Sequence, residues 1–149
     1  MTDLISTDQP FSSSEQQILT ALLDTLIPAS EDGTMPSAGV LDFTGWLMMN
    51  DLEIVPTVKA LLSHFDDTLT NADEDERTQL VETVSKTEPT LFREVLARVF
   101  CAYYEDDRAL VGIGAGAGAP FPRGNTVETG DLTLLDPVTG LGKGYRPVD

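Results

Sequence analysis

LFREVLARVFCAYYEDDRALVG, residues 91–112, is the most apolar helical pattern in the chain. Leu91, Phe92, Val95, Leu96, Val99, Phe100 and Tyr103 recur at three- and four-residue spacing, which places them on one core-facing side of a helix. Pro89 suits the first turn of that helix, where its missing N–H has no intrahelical partner to lose. The chain then changes character. IGAGAGAPFPRGNTVETGDLTLLDPVTGLGKGYRPVD, residues 113–149, has almost no helix-forming run, yet it carries spaced large apolar residues. A helical body ending in a long arm of this kind has the form of a protein that holds a partner.

Upstream of this stretch the same periodicity recurs. Ser12-x-x-Glu15 has capping-box spacing, and Ile18, Leu19, Leu22, Leu23, Leu26 and Ile27 follow as one apolar stripe until Pro28 stops the helix. The segment ASEDGTMPSAG is a loop with Asp32-Gly33 as its turn signal. A second helix is predicted from about Ser37 through Val40, Leu41, Phe43, Trp46, Leu47 and Met48, with Gly45 inside it as a mark of close helix packing. Pro56 opens a third, VPTVKALLSHFDDTLT, with Val58, Leu61, Leu62, Phe65 and Leu69 inward. The acidic link NADEDER opens a fourth, whose thin face of Leu80, Val81 and Val84 makes it peripheral. No segment alternates at period two for long enough to make a strand. The expected fold is therefore all-α: a small bundle of about five helices followed by a long, mostly irregular C-terminal arm. Residues 1–10 form a polar leader, 11–111 the helical body and 112–149 an extended partner-binding arm.

The 149 residues are enough for one hydrophobic core without metal or disulfide staples. With 25 acids against 9 bases the formal charge is −16. The excess sits in the body, which carries 21 acids and 6 bases up to Val111, whereas the arm carries 4 acids and 3 bases. Such a chain is unsuited to nucleic acid or an anionic membrane surface, both of which require Lys and Arg against phosphates. No apolar run approaches the roughly 20 residues that span a bilayer, so direct membrane insertion is not expected. MTDLISTDQPFSSSEQQ has neither a basic n-region nor an apolar h-region, and the expected location is the cytoplasm.

Candidate chemistry is sparse. Gly112, Gly114, Gly116 and Gly118 alternate with small residues, but a dinucleotide fingerprint needs a strand before the glycines and a helix after them, and here a helix precedes and Pro120-Phe121-Pro122 follows. His64, the single histidine, has no ligand or nucleophile at a matching spacing and reads as structural or surface. Cys101, the single cysteine, reads as a core residue within its apolar run. Asp66-Asp67 and the acids Asp73 to Glu76 lack the glycine-centred spacing of a calcium loop. Glu105-Asp106-Asp107-Arg108 reads as the end of the last helix, with Arg108 near its C-terminal dipole. No catalytic, cofactor-binding or metal-binding residue is assigned in this chain.

Three stretches together resemble the gluconate 2-dehydrogenase subunit 3 family: FSSSEQQILTALLDTLIPASEDGTMPSAGVLDF, AYYEDDRALVGIGAGAGAPFPRG and GDLTLLDPVTGLGKGYRP. The most family-like parts are Leu26-Ile27-Pro28-Ala29 followed by Pro36-Ser37-Ala38-Gly39-Val40, and Tyr103-Tyr104 followed by an acidic patch, a glycine run and Pro120-Phe121-Pro122. Residues 50–89 match only in helical character. The resemblance implies a non-catalytic small accessory subunit whose partner is a large FAD-containing subunit of the glucose–methanol–choline type, often joined by a cytochrome c subunit as electron acceptor. FAD then belongs to the partner, where hydride transfer from an alcohol or sugar-like substrate takes place. The small subunit supports the folding, stability or export of the flavoprotein. By the same resemblance, Tyr104, Pro120, Phe121, Pro122, Leu134, Leu135 and Tyr145 are expected to bind the partner. Many members carry a twin-arginine signal that has no counterpart in this N-terminal stretch; a periplasmic complex would need the signal on the partner. The competing expectation is a free-standing helical small-ligand-binding protein or enzyme with the arm as a lid.

Overall fold

The computed structural model describes residues 9–116 and 130–141. The fold is all-α, with no strand among the described residues. The chain divides into two units, Met1–Gly118 and Ala119–Asp149.

In the first unit, α1 (Ser13–Leu26) opens on the predicted capping box: Ser12 Oγ accepts from the Glu15 amide, and the Glu15 carboxylate accepts from the Ser12 amide at 2.7 Å. It buries Ile18, Leu19, Ala21, Leu22 and Leu23 and ends at Ile27, ahead of Pro28. The loop that follows is closed on itself. Asp32 accepts from the Ser30 hydroxyl at 2.6 Å and from the Thr34 amide and hydroxyl, and the Ser30 amide donates to the Met35 carbonyl. These hydrogen bonds, Ser30 foremost, hold the Asp32 carboxyl down at about 2.

The predicted second helix begins later than its apolar pattern indicates. Ala38–Val40 form a 3-10 turn, and α2 (Phe43–Asn50) starts only after Asp42, whose carboxylate accepts from the Gly45 amide at 2.9 Å. Ser37 is not free to cap a helix because its hydroxyl donates to Asp24. Gly45 does not mark helix packing: a Cβ there would collide with the capping carboxylate of Asp42. Val40 and Met48, which belong to the predicted apolar pattern, are exposed.

The third helix is also divided. A 3-10 turn (Leu52–Ile54) leads into α3 (Val55–Leu62), with Pro56 in its first turn. After the turn through His64 and Phe65, Asp66 accepts from the Thr68 amide and starts α4 (Asp67–Asn71). Phe65 and Leu69 remain buried despite the break. Asp73 and Glu76 form a second capping box at the head of α5 (Glu74–Thr87), which buries Val81 and Val84. Then α6 (Pro89–Glu105), the longest helix among the described residues, buries Val95, Val99, Ala102 and Tyr103.

Glu105 to Arg108 do not simply end that helix. Asp106 closes α6 and also caps α7 (Asp107–Gly112), accepting from the Arg108 amide and ion-pairing with its guanidinium at 2.8 Å. Arg108 thus sits in a first turn and is held there by Asp106, with no role at a C-terminal dipole. The body contains seven helices where about five were expected, because aspartate caps divide two of the apolar runs.

Helices α1 and α6 share neighbours: α3 and α5 each pack on both. Leu19, Leu22, Leu47, Val58, Leu61, Leu69, Val95, Val99 and Tyr103 are the fully buried centre. In the second unit, the described part of the arm is not a plain loop. Asp131 accepts from the Thr133 amide and hydroxyl, a 3-10 turn (Leu132–Leu135) follows, and α8 (Asp136–Thr139) adds one helical turn.

Candidate docking surface

Helix α6 is apolar on two sides. Val95, Val99, Ala102 and Tyr103 face the core, while Ala97, Phe100, Cys101 and Tyr104, at i, i+3, i+4 and i+7, are exposed. At 100° per residue this second set falls opposite the first. Phe100 and Cys101 were both expected in the core, and the structure corrects both: Phe100 is 43% exposed and Cys101 is exposed. Each shares the apolar run with core residues but lies on the opposite side of the helix, where its side chain is exposed.

Phe100 and Tyr104, one helical turn apart, stack with ring centroids 6.4 Å apart and planes 15° apart. Tyr104, which is 48% exposed, meets the edge of Tyr103 at 5.3 Å. Tyr103 is the fixed member. Its hydroxyl donates to the Pro36 carbonyl at 2.8 Å, and burial pushes its pKa up. Two further contacts hold one side of the helix: Trp46 Nε1 donates to Glu105 at 2.7 Å, and Arg98 pairs with Asp51 at 2.9 Å. The outward face is therefore held in place by contacts on the other faces.

Two of the three segments that carry the resemblance meet within the body. The Ala38 amide donates to the Ile27 carbonyl at 2.9 Å, joining the end of α1 to the 3-10 turn. Tyr103 reaches Pro36, and Gly112, the last residue of α7, packs so closely on Met35 and Thr34 that a Cβ would lie 2.7 Å from the Thr34 carbonyl oxygen. The point where the chain leaves the body is thus pinned to the loop after α1.

Of the residues expected to bind a partner, the structure places Tyr104 on this face. Leu134 and Leu135 lie in the second unit, at 75% and 53% exposure, beside exposed Leu132 and Leu141. Pro120, Phe121, Pro122 and Tyr145 lie outside the described residues. The sequence reading missed Phe100 as a surface residue. Its i, i+4 relation to Tyr104 was a usable signal, but the continuous apolar run masked it.

His64 is exposed, and Asp66 and Asp73 cap helices. Among the described residues no group of three or more His, Cys, Asp or Glu is placed to hold a metal ion, and no helix is long and apolar enough to cross a membrane. No family model, curated protein or solved structure matches this chain.

Proposed function

We propose that this chain is the non-catalytic small subunit of a heteromeric FAD-dependent oxidoreductase acting on an alcohol or sugar-like substrate, and that it stabilises, or assists the folding of, a large FAD-containing subunit of the glucose–methanol–choline type. The observation that carries the reading is the outward face of α6, where Ala97, Phe100, Cys101 and Tyr104 put a contiguous apolar stripe on a body otherwise rich in acids. Contiguous exposed apolar surface on a soluble domain marks an interaction site. Aromatic anchors held rigid from behind lose little entropy on docking. The exposed leucines of the second unit, Leu132, Leu134, Leu135 and Leu141, supply further apolar contacts of the same kind. In this role the chain carries no cofactor. The flavin and the hydride transfer belong to the large subunit, and a cytochrome c subunit is the expected electron acceptor.

The test is an affinity pull-down of the tagged chain from its native host, followed by a visible absorption spectrum of the eluate. Flavin bands arriving with a much larger chain are expected; a colourless, well-folded monomer overturns the reading. Phe100 and Tyr104 are each about half exposed, so covering both contributes on the order of 2 kcal/mol, or about thirtyfold in affinity. The double variant Phe100→Ser, Tyr104→Ser is therefore expected to weaken the complex by about that factor. Its own stability should change by no more than about 1 kcal/mol, because neither side chain is in the core.

A further inference from the structure

The outward face of α6 has two unlike edges. With Ala97 as its centre line and about 100° between successive residues, Tyr104 and Phe100 fall on one side, and Cys101, Glu94 and Glu105 on the other. Glu94 and Glu105 are both exposed. Glu94 makes no hydrogen bond or ion pair among the described residues. Glu105 accepts from the neutral indole N–H of Trp46, so it keeps its full charge. Arg98, on the same flank of the helix, is already paired with Asp51. Arg93, exposed on the aromatic side, makes no ion pair among the described residues.

Charge decides between the possible occupants. A second copy would meet this face through a two-fold axis, which sets like edge against like edge. In an antiparallel pair centred on the stripe, Glu94 of one copy faces Glu105 of the other, and Arg98 is engaged elsewhere. Two chains of −16 each add to that repulsion. An acidic partner is repelled for the same reason, since residues up to Val111 carry 21 acids and 6 bases. A basic partner is attracted.

We infer that the surface docked on α6 belongs to a protein with an apolar centre, seated on Phe100 and Tyr104, and with lysines or arginines along one edge, opposite Glu94 and Glu105. The two edges act differently. Apolar contact at the aromatics supplies affinity, whereas complementary charge speeds encounter and fixes orientation. Only the acidic edge distinguishes one flank of the helix from the other by charge of a single sign. The identity of the partner as a flavoprotein rests on the subunit reading above; the charge of its surface is tested without it.

The experiment titrates two amphipathic helical peptides of about 18 residues, or five turns, into the full chain labelled with nitrogen-15. Both peptides have leucines on one face; the other face carries lysines in one and glutamates in the other. The lysine peptide is expected to give saturable shifts at the amides of Ala97, Cys101 and Glu105, and the glutamate peptide none. Raising the salt from about 0.05 M to about 0.5 M, which shortens the screening length, should weaken binding at least about tenfold. Glu94→Gln combined with Glu105→Gln keeps an acceptor for Trp46 and should weaken binding at least about fivefold. Glu74→Gln combined with Asp75→Asn, the same charge change at the head of α5, should weaken it less than about twofold. Equal losses in the two variants would mean a response to net charge alone and would overturn the inference. So would shifts confined to other elements, equal binding of both peptides, or a dimer of the chain held through this face. A flavoprotein complex indifferent to salt and to the Glu94 and Glu105 changes would overturn it too. Binding of the lysine peptide with no flavoprotein in the pull-down would uphold it and overturn the subunit reading.

Discussion

Tyr103 and Tyr104 are neighbours in sequence with opposite environments. Tyr103 is 2% exposed and anchors the middle of the body by donating to Pro36, 67 residues away. Tyr104 faces outward with Phe100. The periodicity of residues 91–103 placed Tyr103 on the core side, but nothing in that pattern names Pro36 as its partner. A hydroxyl finds its acceptor through the path of the whole chain, and local spacing carries no record of that path. Tyr103→Phe deletes the bond and leaves the Pro36 carbonyl to find another donor. The expected loss is about 1 kcal/mol, measurable as a lower urea midpoint with an unchanged m-value. A midpoint equal to that of the native chain would mean that water replaces the hydroxyl without loss.

At the scale of the element, aspartates set the boundaries that apolar spacing left open. Asp42, Asp66, Asp73, Asp106 and Asp131 each accept from an amide two or three residues on and start a helix or helical turn. Three of these carboxyls, Asp66, Asp106 and Asp131, are held below the usual carboxylate range by hydrogen bonds from Thr68, Arg108 and Thr133 respectively. A folded pKa below the unfolded value means that these caps stabilise above the ordinary carboxylate range and lose that contribution as pH falls through their lowered values. The helical pattern ran through Phe65 and Asp66 because the residues on either side of the break, Leu62 and Leu69, are both core residues. Periodicity reports burial and is blind to a turn that preserves it. Asp42→Ala should cost about 1 kcal/mol and lower the thermal midpoint, since Ser37 is engaged with Asp24 and offers no substitute cap. A midpoint unchanged in Asp42→Ala would show that α2 is held by packing alone.

At the scale of the whole molecule, the two units differ in charge as well as structure. The charge of −16 is carried almost entirely by the helical body, and the nearly neutral arm keeps Leu132, Leu134, Leu135 and Leu141 exposed. Truncation after Gly112 is expected to leave the helical circular dichroism of the body in place and to abolish co-purification with a flavoprotein. A truncated chain that still brings the flavoprotein down would sink the role assigned to the arm and leave the α6 face as the sole docking surface.

The sequence by itself determined what depends on near neighbours along the chain: the all-α class, the stripe of α1, the Ser12–Glu15 box, the proline-led starts of α3 and α6, and most of the core. These follow from interactions within about four residues, where spacing and geometry are the same thing. The tertiary structure decided which apolar residues stay uncovered. Phe100 and Cys101 have the composition of core residues and the position of surface residues, because burial requires a second element, and among the described residues none buries that side of α6. It also decided that Arg77 makes no ion pair among the described residues, since the distances between its guanidinium and the carboxylates are set by how the helices pack, and charge counting along the chain contains no distances.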